Sequence, residues 1–198
     1  MRLKRLGRGL LTILCLSQAS VVQAGAQAEE QLSASVQAMM QRAISDHAAS
    51  QSVFSSPQAA EQWLNAMSPR LAKRVPDELA RRDFLSTVHY EASRAGLDPQ
   101  LVLGLIEVES GFRKYAVSSS GARGYMQVMP FWVKQIGTPE HNLFHLRTNL
   151  RYGCTILRHY LDKENGDLFR ALGRYNGSLG AAEYPNMVKG AWQHWTIR

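Results

Sequence analysis

Between Asp98 and Gly111 the chain reads DPQLVLGLIEVESG, and no other stretch limits the fold as strongly. Asp98 is a favoured N-cap residue, Pro99 suits the first helical position, and Gly111 is a stop signal, so the segment reads as a helix. Its interior is so rich in Leu, Val and Ile that other elements must cover it. Those elements are helical too. There are no sustained period-two apolar runs and no hairpin turns between apolar segments, so the fold class is mainly α.

The helical signals can be placed along the chain. Residues 31–49 are rich in Ala, Gln and Met and read as a loosely packed helix or a tether. Ser56 and Pro57 open a helix through Met67. Pro76 and Asp77 open another, with Leu79, Phe84, Leu85, Val88 and Ala92 on one stripe and Gly96 as its stop. The run HLRTNLRYGCTILRHYLDKENGD reads as a core helix carrying Leu146, Leu150, Ile156, Leu157 and Tyr160, with Arg147, Arg151 and Arg158 on a solvated face. The chain has 198 residues, 45% hydrophobic and 20% charged, an ordinary globular balance. That excludes a disordered chain, a collagen-like repeat and a polytopic membrane protein.

A formal charge of +7 invites a nucleic-acid reading, but Arg2, Lys4, Arg5 and Arg8 precede the first acidic residue, Glu29, and without them +3 remains. The basic stretch MRLKRLGR, the apolar run LLTILCL and the small-residue stretch SQASVVQAGAQA have the layout of a secretory signal peptide, with cleavage expected after Ala24 or Ala26. The apolar run is too short to span a bilayer. Leu14 before Cys15 is unsuited to lipidation, so a lipid anchor is not expected. The expected location is the periplasm, and an exported protein of small charge is a poor nucleic-acid binder. With the signal removed Cys154 stands alone, without an intramolecular disulfide partner, and reads as a buried structural thiol. Composition shifts near Leu97, which gives three parts: a signal segment 1–24, an N-terminal helical extension 25–79 and a functional domain 80–195.

On a helix of 3.6 residues per turn, Leu101, Leu105 and Glu109 fall in one row, with Val102 and Ile106 beside it. Glu109 therefore lies on the apolar face, where a carboxylate has a raised pKa and can stay protonated as a general acid. Glu107 points about 200° away, so the two cannot form a facing acid–base pair.

The strings IEVESGF, SSSGARGYMQVMP and ALGRYNGS resemble, in order and with compatible spacing, the three signature motifs of soluble lytic transglycosylases of the lysozyme superfamily. The resemblance covers about half of the chain and implies a lysozyme-like helical domain that cleaves bacterial peptidoglycan. It implies Glu109 as the sole catalytic acid, with Ser110 beside it and Phe112 at the aromatic position. It implies substrate contacts for Ser118, Gln127, Met129, Tyr175 and Asn176, with Tyr175 hydrogen-bonded to the acid and walling the groove. The sequence departs from the motifs at Tyr125, in place of Leu, and at Arg174, Gly177 and Ser178 around the Tyr–Asn pair. These departures bear on fine substrate preference.

Most glycosidases use two carboxylates, and besides Glu109 the three strings hold only Glu107, which points elsewhere. The resemblance implies substrate assistance by the sugar's acetamido group, a 1,6-anhydromuramic acid product, and no metal or cofactor. The expected partners are peptidoglycan glycan strands. Association with cell-wall or secretion machinery is left open, and a monomer is expected. A water-using muramidase of the goose-type lysozyme kind would need a second acid, for which Asp98, Glu107 and Asp162 are the nearby candidates. A non-catalytic wall-binding or secretion-apparatus module would be expected to lack Glu109 or Tyr175. His141 and His145 stand four apart without a third ligand and read as a surface pair. Trp132, Trp192 and Trp195 read as packing residues.

Overall fold

The computed structural model describes residues 27–45 and 54–197. They form eight helices: α1 (Ala34–Ile44), α2 (Pro57–Leu71), α3 (Glu78–Arg94), α4 (Pro99–Ser110), α5 (Phe131–Ile136), α6 (Leu146–Lys163), α7 (Leu168–Asn176) and α8 (Glu183–Trp195). Among the described residues the only β pairing is two isolated bridges, Val117–Arg123 and Arg123–Val128. The fold is mainly α, as the apolar periodicity requires. The expected signal segment, Cys15 and the end of the 31–49 run lie outside the described residues.

The caps sit where the sequence places them. Asp98 Oδ1 accepts from the Gln100 amide at 2.8 Å and Asp77 Oδ1 from Ala80 at 2.7 Å, each worth about 1 kcal/mol. Ser56 does the same for Ala59 at the head of α2, which runs four residues further than Met67, through Pro69 to Leu71. Gly111 ends α4 in the left-handed region at φ 57°.

α4 is the covered helix, with Leu101, Val102, Leu103, Leu105 and Ile106 all 5% exposed or less. Its main neighbour is α8. The two backbones meet at Gly104, where an added Cβ would lie 2.6 Å from the Trp192 amide nitrogen. Only glycine permits that approach, and it brings the first turn of α8 to the end of α4. α3 packs on α6 and α2, α6 on α7, and α1 on α5 and α6. Met40, Ile44, Leu64, Met67 and Leu71 of α1 and α2 belong to the same buried cluster as α4. α1 and α2 thus share one core with α4. Cys154 is buried within it.

Two details differ from the periodic reading. Leu79 is 80% exposed, because it sits in the first turn of α3, beyond the covered part of that helix. Arg151 is mostly covered rather than solvated, while Arg147 keeps 47% of its side chain exposed. With Arg94 they converge on Glu91, which is fully buried on α3. Arg158 pairs with Asp162 one turn on at 2.6 Å.

Candidate active site

Glu109 sits in the last turn of α4 and is 5% exposed. Burial raises its pKa from 4.5 to about 8, opposed in part by a hydrogen bond from Tyr184 that favours the ionised form. The Tyr184 hydroxyl of α8 donates to Oε1, while Oε2 is buried without a hydrogen-bond partner among the described residues. At neutral pH the group is therefore a carboxylic acid with one oxygen fixed by the protein and the other uncommitted. That is the state a general acid needs.

A loop from Gly121 to Pro130 lies against the end of α4. The Ser110 hydroxyl donates to the Tyr125 carbonyl at 2.7 Å, tying the residue beside the acid to the loop. From α6, the fully buried Asn149 accepts from the Met126 amide at 2.8 Å. Its amide nitrogen donates to the Leu143 and Arg123 carbonyls at 2.8 and 2.9 Å. Gly153 leaves room for Met126, whose sulfur would stand 2.4 Å from a Cβ placed there. Phe112 (φ 66°) turns the chain out of α4 and buries its ring edge-on to Phe84 and Trp195.

Gln127 and Met129 lie in this loop, Ser118 and Tyr175 bond to it, and Asn176 follows Tyr175 at the end of α7. Tyr175 is fully buried, and its hydroxyl donates to the Met126 carbonyl at 2.7 Å. Tyr184, not Tyr175, is the tyrosine bonded to Glu109. Tyr175 remains close enough for the Glu109 charge to help raise its pKa, behind the larger effect of burial. Gln127 (φ 48°) turns its amide inward to the Gly124 and Ala116 carbonyls at 2.9 and 3.2 Å. Asn176 donates to Ser178 at 3.0 Å, while its own carbonyl oxygen is buried and unpartnered. Ser118 accepts from the Ala122 amide at 3.1 Å and is half-buried, as is Met129. Of the five expected contact residues, only these two present substantial surface.

The other acids near the motifs are engaged elsewhere. Asp98 caps α4 and accepts from the Trp192 indole at 3.0 Å, and Glu107 accepts from the Trp195 indole at 2.8 Å. His141 Nδ1 and the Tyr152 hydroxyl are 2.7 Å apart, a bond within the fold.

The two tyrosines can be separated by experiment. Tyr184→Phe leaves a buried carboxyl oxygen unpaired, which costs about 1–3 kcal/mol and, if expressed in the transition state, roughly a five- to hundredfold loss of kcat. It also removes the bond that favours ionisation, so the alkaline limb of kcat/KM moves to higher pH. Tyr175→Phe unpairs the Met126 carbonyl at a similar cost in stability but leaves the limb in place. A pH–rate profile in which Tyr175→Phe moves the limb and Tyr184→Phe does not would reverse these roles.

Residues 86–192 match the family Transglycosylase SLT domain. The chain is 49% identical over 53 residues to a membrane-bound lytic murein transglycosylase C of Actinobacillus pleuropneumoniae, covering 27% of this chain and 14% of that protein. It is 34% identical over 103 residues to a transglycosylase of Enterobacteria phage PRD1, covering 52% and 38%. To the lytic murein transglycosylase C of Haemophilus influenzae (strain PittGG) it is 40% identical over 129 residues, covering 57% and 36%. The chain thus spans 14% to 38% of the length of these relatives. A solved inactive mutant of the lytic transglycosylase Slt of Pseudomonas aeruginosa aligns over 85% of this chain and 36% of that one, with a TM-score of 0.45 and 18% identity.

Proposed function

The chain belongs to the Transglycosylase SLT domain family, and on that premise we propose that it is a peptidoglycan lytic transglycosylase using Glu109 as its single acid and base. One observation carries the reading: a buried carboxyl with its pKa near 8, one oxygen held by Tyr184 and the other uncommitted. The Glu109 proton passes to the oxygen bridging N-acetylmuramic acid and N-acetylglucosamine. The acetamido oxygen of the muramyl sugar attacks its own anomeric carbon as the bridging bond breaks, giving an oxazolinium ion. The carboxylate left on Glu109 then takes the proton of the 6-hydroxyl, whose oxygen attacks the same carbon and reopens the ring. The product is a 1,6-anhydromuramic acid end.

The engagement of Asp98 and Glu107 by indoles, and of Asp162 by Arg158, supports the one-carboxylate route. A hydrolytic route would need one of these acids to position water. Ser118 and Met129 contact the glycan, while Gln127, Tyr175 and Asn176 hold the loop and the end of α7 that carry the groove. The catalytic unit is 80–195, exported to the periplasm behind a signal cleaved near Ala24. It acts as a monomer on glycan strands. N-terminal sequencing of the exported protein checks the location, and an intact Met1 in the cytosol would refute it.

Mass spectrometry of digested sacculi tests the reaction. Muropeptides one water lighter than hydrolysis products are expected. Reducing-end muropeptides would instead assign the water-using muramidase, and no release of muropeptides would leave a wall-binding module.

A further inference from the structure

Tyr115 is 71% exposed, whereas Tyr152, Tyr160, Tyr175 and Tyr184 are each 1% exposed or less. It lies six residues beyond Glu109 and three before Ser118. Its ring stands 5.8 Å from that of the half-buried Phe144, tilted by 49°. A cation flanks each ring: Lys114 Nζ is 5.2 Å from the Tyr115 centroid and the Arg123 guanidinium 6.0 Å from that of Phe144. Val117, 60% exposed, continues the apolar surface toward Ser118.

The backbone beneath this patch is fixed. Arg123 bridges both Val117 and Val128, the Gly124 amide donates to Ala116 at 2.9 Å, and the Asn142 side chain accepts from the Phe144 amide at 2.9 Å. An exposed tyrosine ring set against a half-buried phenylalanine from a second loop, with both loops pinned by backbone bonds, is an aromatic surface suited to binding. The ring faces suit the C–H faces of pyranoses, and the flanking ammonium and guanidinium suit carboxylates. A glycan strand whose alternate sugars carry carboxylate-bearing substituents offers both. Charge complementarity with the site's own polymer therefore favours that occupant over a neutral apolar partner.

We propose that Tyr115 and Phe144, flanked by Lys114 and Arg123, form a stacking platform that holds the muramyl-bearing strand next to the cleavage site. The platform rests on the reading of the chain as a glycan-cleaving enzyme and adds to it a subsite that sets affinity for long anionic strands. Sugar faces lie on the rings, and the carboxylates of the muramyl substituents meet the two cations.

Binding to immobilised chitohexaose and to peptide-bearing glycan strands, together with initial rates on the strands, tests this. Tyr115→Ala should weaken binding of both ligands and raise KM on strands by roughly three- to tenfold, the size of an aromatic contact, with little change in kcat. A Lys114→Glu/Arg123→Glu double variant should weaken the anionic strand at low salt and leave chitohexaose unchanged. Repeating this arm with strands stripped of peptide shows whether the lactyl or the peptide carboxylates are read. Unaltered KM and binding for Tyr115→Ala would overturn the platform, as would equal loss of both ligands on charge reversal. Release of 1,6-anhydro products by the parent protein in the same assay keeps the platform's failure separate from that of the reaction.

Discussion

Glu109→Gln folds, binds glycan and loses at least 10²–10⁴ of its rate, the usual cost of a missing general acid. Both proton transfers depend on the same carboxyl, so the loss belongs at or beyond the upper end. The amide can still accept from Tyr184, which keeps the surrounding bonds intact. The parent protein's kcat/KM should fall with rising pH through about 8, where the acid gives up its proton. The variant also has a stability signature. A folded-state pKa above the unfolded value means that the folded protein holds the Glu109 proton more tightly. Stability from that proton is complete below 4.5 and is lost as pH rises toward about 8. Glutamine does not ionise, so the variant should gain on the parent across that interval by a few kcal/mol at about 1.4 kcal/mol per pH unit. Denaturant unfolding at pH 5 and pH 9 measures the difference. An active Glu109→Gln protein, or one whose stability relative to the parent is the same at both pH values, would refute the assignment. Glu107→Gln, whose carboxylate faces Trp195, should keep most activity.

The acid was legible because its burial is a one-dimensional fact: Leu101, Leu105 and Glu109 share a row, and a row on an apolar helix goes inward. The helix itself was legible from Asp98, Pro99 and Gly111. Tyr184 was not, because nothing in EYPNMVKGAWQHW distinguishes a tyrosine that meets an acid 75 residues away. The meeting depends on how closely α8 approaches α4, and Gly104 against Trp192 sets that. The motif resemblance put Tyr175 in the right neighbourhood and gave it the wrong acceptor. A buried hydroxyl takes whichever acceptor the packing supplies, here the Met126 carbonyl. Asn149 was passed over for the same reason. Its three bonds go to loop backbone, which has no signature in side-chain pattern.

Arg151 shows the reverse error, since a polar stripe on α6 looks solvated until another helix brings a carboxylate to it. Glu91 is fully buried, and Arg151 grips it with two bonds, Nη2 to Oε1 at 2.8 Å and Nε to Oε2 at 3.1 Å. Arg147 adds a bond at 3.2 Å and Arg94 one at 3.4 Å. Three cations around one buried anion make the centre of the α3–α6 contact dependent on that charge. Glu91→Gln removes it and takes from the mostly covered Arg151 and Arg94 the anion they share. Breaking a buried ion group from one side costs about 3–5 kcal/mol, which lowers Tm by roughly 6–20 °C for a chain of this size. Glu91→Met/Arg151→Met, which removes an anion and a cation together, should lose less than Glu91→Gln alone. Calorimetry of the parent and both variants measures this, and a Glu91→Gln midpoint within about 2 °C of the parent would show that the cluster holds nothing. Activity assayed well below the lowered Tm should be near that of the parent, because the Glu91 carboxylate bonds to Arg94, Arg147 and Arg151 and, among the described residues, not to Glu109, Tyr184 or the 121–130 loop. α6 also carries Asn149 and Gly153, so above that temperature the first function lost should be the seating of Met126 beside Tyr175.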